Sequence, residues 1–130
     1  RNYSVGEPSR AVQDAHATLI DATRAGFECL RPGATAAEVF HAMDRVLTKG
    51  GAGTDGGRLG HGLGMSLTEP PSLIAADDTV LQPGMVLTLE PGIETGPGRI
   101  MVHEETIVVT ETGAEWLSTP QGDSIRQLPA

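Results

Sequence analysis

Three residues in this chain could together activate a water molecule: His61, Glu90 and Glu104. Hydrolysing an amide near neutral pH demands a nucleophilic water and a stabilised oxyanion. A divalent metal supplies both, by lowering the pKa of water and by polarising the carbonyl. One imidazole and two carboxylates are ligands suited to Zn, Mn, Fe or Co. Taken singly, each residue has a plainer role. A His in a Gly-rich loop is ordinarily just a loop residue, and Glu90, ahead of Pro91-Gly92, can be an exposed strand end. Glu104 and Glu105 are adjacent, so on a strand they face opposite sides, and one of them can simply be solvated.

These side chains need elements to position them, and the hydrophobic pattern supplies a scaffold. From Ser9 to Leu30, Val12, Ala15, Leu19, Ala22, Phe27 and Leu30 recur at near-helical spacing, and Arg31-Pro32-Gly33 ends the helix. Thr35-Ala36-Ala37-Glu38 has the form of a capping box opening a second helix. Val39, Phe40, Met43, Val46 and Leu47 form its buried stripe, and Gly50-Gly51 should end it. A Gly-rich run from Gly50 to Gly64 then carries His61. Met85 to Leu89 has strand composition, as do Ile100 to Val102 and Thr106 to Thr110. Glu111-Thr112-Gly113 reads as a turn, Trp116-Leu117 as a short returning strand, and 120–130 as a polar, frayed tail. Two helices followed by antiparallel strands make an α+β class, and 1–130 reads as part of one domain.

Composition narrows the function classes. Aromatic residues are only 3% of the chain, so Leu, Val, Ile and Ala must fill the core. The net charge of −8 leaves no basic stripe for phosphates, which argues against nucleic acid as a partner. No apolar run reaches the roughly 18–20 residues of a membrane span. A single cysteine, Cys29, excludes an internal disulfide. It suits a reducing compartment and reads as an inert core thiol, so a cytoplasmic location is expected.

The contexts of the three residues carry more than the residues alone. Gly60-His61-Gly62-Leu63-Gly64 followed by Glu69-Pro70-Pro71, Gln82 to Gly92 ending in Glu90-Pro91-Gly92, and His103-Glu104-Glu105-Thr106 onward form three ordered blocks. They resemble the metal-binding segments of the pita-bread hydrolases: aminopeptidase P, prolidase and methionine aminopeptidase. The intervals of 29 residues from His61 to Glu90 and 14 to Glu104 are similar to the prolidase and aminopeptidase P branch. The resemblance extends over nearly the whole chain, from Arg1-Asn2-Tyr3 onward, and implies the C-terminal half of a pita-bread α+β domain.

By that resemblance His61, Glu90 and Glu104 are metal ligands. Glu104, rather than Glu105, is the residue that bridges two divalent ions (Mn, Co, Fe or Zn) and assists proton transfer. Two further Asp ligands would belong to an N-terminal half that precedes Arg1. The implied reaction is hydrolysis of an amide bond, as in Xaa-Pro peptides, with a peptide or small amide as substrate. Two positions depart from the family pattern: Thr68 stands where a second His is usual, and Val102 where prolidase-like members often carry Arg. Thr68 is expected to touch substrate, since a hydroxyl donates a hydrogen bond but cannot act as an imidazole acid. His103 could replace the missing imidazole only if strand alternation did not point it away from Glu104. These departures keep two other readings open, a creatinase-like hydrolase of non-peptide C–N bonds and a non-catalytic binding module. The chain by itself is expected to show little or no catalysis. Its exposed sheet edge favours association with the missing half or in a homodimer.

Overall fold

The computed structural model describes residues 1–49 and 57–129. A short strand β1 (Tyr3–Val5) leads into helix α1 (Arg10–Cys29), and helix α2 (Ala36–Lys49) follows. Ser9 caps α1, its hydroxyl accepting from the Val12 amide at 3.4 Å. The capping box of α2 is present: the Thr35 amide donates to Glu38 Oε2 at 2.8 Å, and the Glu38 amide to Thr35 Oγ1 at 3.2 Å. The expected helix stop at Gly50-Gly51 lies outside the described residues. The two helices touch closely at Gly26, where a Cβ would come within 2.7 Å of Met43 Cγ. Among the described residues no helix is long and apolar enough to cross a membrane.

The strands that follow are β2 (His61–Gly62), β3 (Glu69–Ser72), β4 (Val86–Leu89), β5 (Gly92–Gly96), β6 (Arg99–Val102), β7 (Glu105–Val109), β8 (Ala114–Trp116) and β9 (Arg126–Leu128). The main sheet has the order β3-β2-β4-β7-β8 and is antiparallel throughout. β5 and β6 form a separate hairpin. β4, β6, β7 and β8 match the expected strands to within a residue or two. β2, β3 and β5 lie in stretches whose Gly and Pro content hides them from a propensity reading.

The strand faces are sharply divided. Leu87 and Leu89 of β4 pair with Ile107 and Glu105 of β7, and all four are buried. Leu87, Leu89, Ile107 and Val109 belong to the hydrophobic cluster that includes Leu19, Val39, Met43 and Leu47 of the helices. Leu73 and Leu81 from the loops complete that cluster. Aliphatic side chains do most of the filling, and Phe27 and Trp116 stack beside them, centroids 3.9 Å apart.

The C-terminal stretch corrects the expectation of fraying. Arg126–Leu128 pairs in parallel with Tyr3–Val5, the one parallel pair among the described strands. Gln121 also clasps Asn2, accepting from its amide at 2.8 Å and donating to its carbonyl at 2.6 Å. An amide side chain can satisfy both backbone groups of a residue, as a neighbouring strand would. Polar composition therefore misled here.

Asp77 secures β3, accepting from the amides of Ser72 at 2.8 Å and Thr79 at 3.0 Å. The Thr79 hydroxyl, then the amides of Thr79 and Ser72, hold the Asp77 carboxyl below its ordinary range. Its contribution to stability is complete above the unfolded value of about 4 and is lost as pH falls through the lowered folded value. Asp77→Asn is therefore expected to flatten the acid limb of a stability-against-pH curve, measured by denaturant unfolding. Leu89 is fully buried at the end of β4, and Leu89→Ala should cost about 2–5 kcal/mol, read from the shift of the unfolding midpoint.

Candidate metal centre

The register of β4 with β7 does not stop where the regular ladder does. Leu89 lies opposite Glu105, and three residues on Gly92 lies opposite Val102 in the same register. Glu90 is therefore opposite Glu104, and Pro91 opposite His103. The His103 amide donating to the Pro91 carbonyl at 3.0 Å marks that last pair as hydrogen-bonded. Antiparallel pairs alternate, so Glu90 and Glu104 form a non-hydrogen-bonded pair, the kind whose Cα atoms approach to about 4.5 Å. Both carboxylates project from the face opposite Leu89 and Glu105.

His61 comes from the other side of β4. Gly62 pairs with Leu87, which places His61 opposite Thr88 and two positions from Glu90 on the same face. The His61 amide donates to the buried Thr88 hydroxyl at 3.1 Å, and the Glu90 amide donates to the Leu59 carbonyl at 2.7 Å. The flanking glycines are required by close approach. A Cβ at Gly60 would run into the Thr88 carbonyl, and one at Gly62 into the Pro70 carbonyl. Sheet order β2-β4-β7 thus sets one imidazole and two carboxylates side by side, His61 on β2, Glu90 just after β4 and Glu104 just before β7.

The donor atoms of His61, Glu90 and Glu104 all lie within 4.8 Å of one another. His61 Nδ1 is 2.9 Å from the Gly62 carbonyl and donates there, so Nε2 is the nitrogen turned toward Glu90 Oε2, at 3.6 Å. Ligands about 2.1 Å from a shared ion can be no more than about 4.2 Å apart, so less than an ångström of closure would seat one. Like charges directly opposite on paired strands repel, and a cation between them reverses the sign. The residues fit a divalent metal.

The three residues singled out for metal chemistry are brought together, and Thr68 is not. It is exposed on the loop between β2 and β3 and does not line the groove beside Glu90. That groove, of about 510 Å³, has Arg58, Glu94, Ile93, Ile100 and Val102 in its walls. His103 and Glu105 face away from Glu104, as alternation requires. Both are buried on the helix side, with His103 Nε2 3.4 Å from Glu105 Oε1. Burial pushes the His103 imidazole down to about 4, against the opposing pull of the Glu105 carboxylate. Thr88, whose hydroxyl takes the His61 amide, was not singled out in the sequence. Thr88 could have been, since it shares a strand face with Glu90.

Residues 1–111 match the model of metallopeptidase family M24. The chain belongs to that family. It is 44% identical over 116 residues to a probable dipeptidase PepE of Mycobacterium tuberculosis, covering 88% of this chain and 31% of that protein. It is 34% identical over 122 residues to an Xaa-Pro dipeptidase of Pyrococcus furiosus, covering 91% and 34%. The crystal structure of dipeptidase PepE from Mycobacterium ulcerans matches with a TM-score of 0.89 at 36% identity, covering 98% of this chain and 34% of that one. The α+β architecture is the pita-bread fold of the family, and the chain spans about a third of the length of these relatives.

Thr88→Val keeps the shape of the side chain but removes the acceptor for a buried amide. An unsatisfied buried donor costs about 1–3 kcal/mol, so the variant should lose that much stability in denaturant unfolding.

Proposed function

We propose that this chain is the C-terminal part of a pita-bread catalytic domain, and that the whole protein hydrolyses amide bonds in Xaa-Pro-type peptides. His61, Glu90 and Glu104 are three ligands of a dinuclear centre, and two Asp residues of the preceding part of the protein complete it. The observation that carries this reading is the opposition of Glu90 and Glu104 across β4 and β7 with His61 Nε2 beside them. Family membership and the names of the dipeptidase relatives support it.

A divalent metal held there by His61, Glu90 and Glu104, with Mn, Co, Fe and Zn all suited to the donors, would lower the pKa of water and polarise the substrate carbonyl. The residues of this chain do the rest. His61 presents Nε2 in a fixed tautomer because Nδ1 is tied to the Gly62 carbonyl. Glu104, the most exposed of the three, takes a proton from the attacking water on its carboxylate and passes it to the leaving amine. The groove walled by Ile93, Ile100 and Val102 receives the apolar part of the substrate. The single cysteine, Cys29, suits a reducing compartment, and the cytoplasm is the location we propose.

A second reading is a hydrolase of non-peptide C–N bonds. It is favoured by Thr68 in place of an imidazole and by the apolar Val102 in the groove wall.

Metal analysis of the purified whole protein, paired with hydrolysis assays, tests both. Near two metals per chain and release of proline from Xaa-Pro dipeptides are expected. His61→Ala, Glu90→Gln and Glu104→Gln should each lower kcat/KM by more than the about 100-fold typical of outer-sphere changes. Activity on small amides or amidines but not on peptides would favour the second reading. No metal uptake from Mn, Co, Fe or Zn would refute both and leave a binding module.

A further inference from the structure

Among the described residues Glu105 is the only buried acidic side chain. It stands directly behind Glu104, on the helix side of β7. An ionised carboxylate in such a place is costly unless it is paired and hydrogen-bonded, and three groups converge on it, two of them from other stretches of chain. The Gln121 amide donates to Oε1 at 2.7 Å, and Arg1 Nη2 donates to Oε2 at 3.3 Å. His103 Nε2 lies 3.4 Å from Oε1. Arg1 also donates to Ser118 Oγ at 3.0 Å and to the Thr119 carbonyl, so the clamp includes the segment that returns after β8.

The sheet needs such a clamp at this point. Pro91 and His103 occupy a position where an antiparallel pair would exchange two hydrogen bonds, but proline has no N–H. Only the His103 amide bonds to the Pro91 carbonyl. The ladder is therefore weakened one residue beyond the Glu90–Glu104 pair, where two carboxylates also repel one another.

We propose that Glu105 is a positioning residue for the metal centre: clamped from behind by Gln121, Arg1 and His103, it holds β7 so that Glu104 stays opposite Glu90. This rests on the reading of Glu104 as a metal ligand. Glu105 touches neither metal nor substrate and acts through the backbone it shares with Glu104. Glu105→Gln keeps an acceptor for Gln121 but removes the charge that Arg1 meets, while Glu105→Asp keeps the charge.

The test is Co(II) titration of the whole protein, followed by calorimetry and by the visible Co(II) absorption spectrum, with the thermal midpoint measured in parallel. Glu105→Gln is expected to weaken Co(II) binding by about 10–100-fold, the usual effect of losing a residue that orients a ligand, and to alter the spectrum. Glu105→Asp should recover most of the affinity. In a Glu104→Gln background the Glu105→Gln effect should vanish, because the ligand through which it acts is gone. Unchanged affinity and spectrum in folded Glu105→Gln, or an equal loss in the Glu104→Gln background, would overturn the proposal. Should Glu105→Gln fail to fold, Arg1→Met removes one donor alone. A several-fold loss of affinity is then expected, and no loss overturns the proposal. Wild-type protein that takes up no Co(II) would instead overturn the metal centre itself.

Discussion

The site depends on one uninterrupted antiparallel register, which runs from Val86↔Val108 through to Glu94↔Ile100 across the break at Glu90-Pro91. That register is enforced from the apolar side. Leu87, Leu89, Ile107 and Val109 are buried against the helices, and a slip of β7 by one residue would turn Ile107 and Val109 to the other face. The same slip would exchange Glu104 for Glu105. Hydrophobic burial on one face therefore decides which of two adjacent carboxylates stands beside Glu90 on the other.

The strand order adds the imidazole. β2 joins the sheet on the far side of β4 from β7, and close backbone contacts at Gly60 and Gly62 bring His61 onto the carboxylate face. Thr88 belongs to this design as an acceptor, its hydroxyl taking the His61 amide. The helix side carries a polar arrangement of its own, in which Glu105 gathers Arg1, His103 and Gln121. The two faces of β7 thus hold one exposed and one buried carboxylate with different surroundings, one free to meet a cation and the other already neutralised.

Membership of metallopeptidase family M24 agrees with the geometry of the ligand face, while the groove beside it has its own character. Ile100 and Val102 are exposed large apolar side chains in its wall, and Thr68 lies on a loop away from it. The His61, Glu90 and Glu104 cluster and the groove beside it are built from different elements. The first belongs to the β2-β4-β7 sheet and the second largely to the β5–β6 hairpin, so one can vary while the other is retained.

The sequence by itself determined the two helices with their caps, the four strands of ordinary composition and the α+β class, and it drew attention to His61, Glu90 and Glu104, which the structure brings together. Helix periodicity, capping hydrogen bonds and strand alternation are local, and a local pattern can be read from neighbouring residues. Alternation alone also separated His103 and Glu105 from Glu104. Only the tertiary structure decided that β2 and β3 form from Gly- and Pro-rich stretches, since their strand character comes from partners such as Leu87 rather than from propensity. The docking of 126–128 on 3–5 and the clasp of Gln121 on Asn2 were equally hidden, because they join residues more than a hundred positions apart. The roles of Thr88 and Glu105 came to light in the same way. Each is an ordinary polar residue until distant segments present the groups it satisfies.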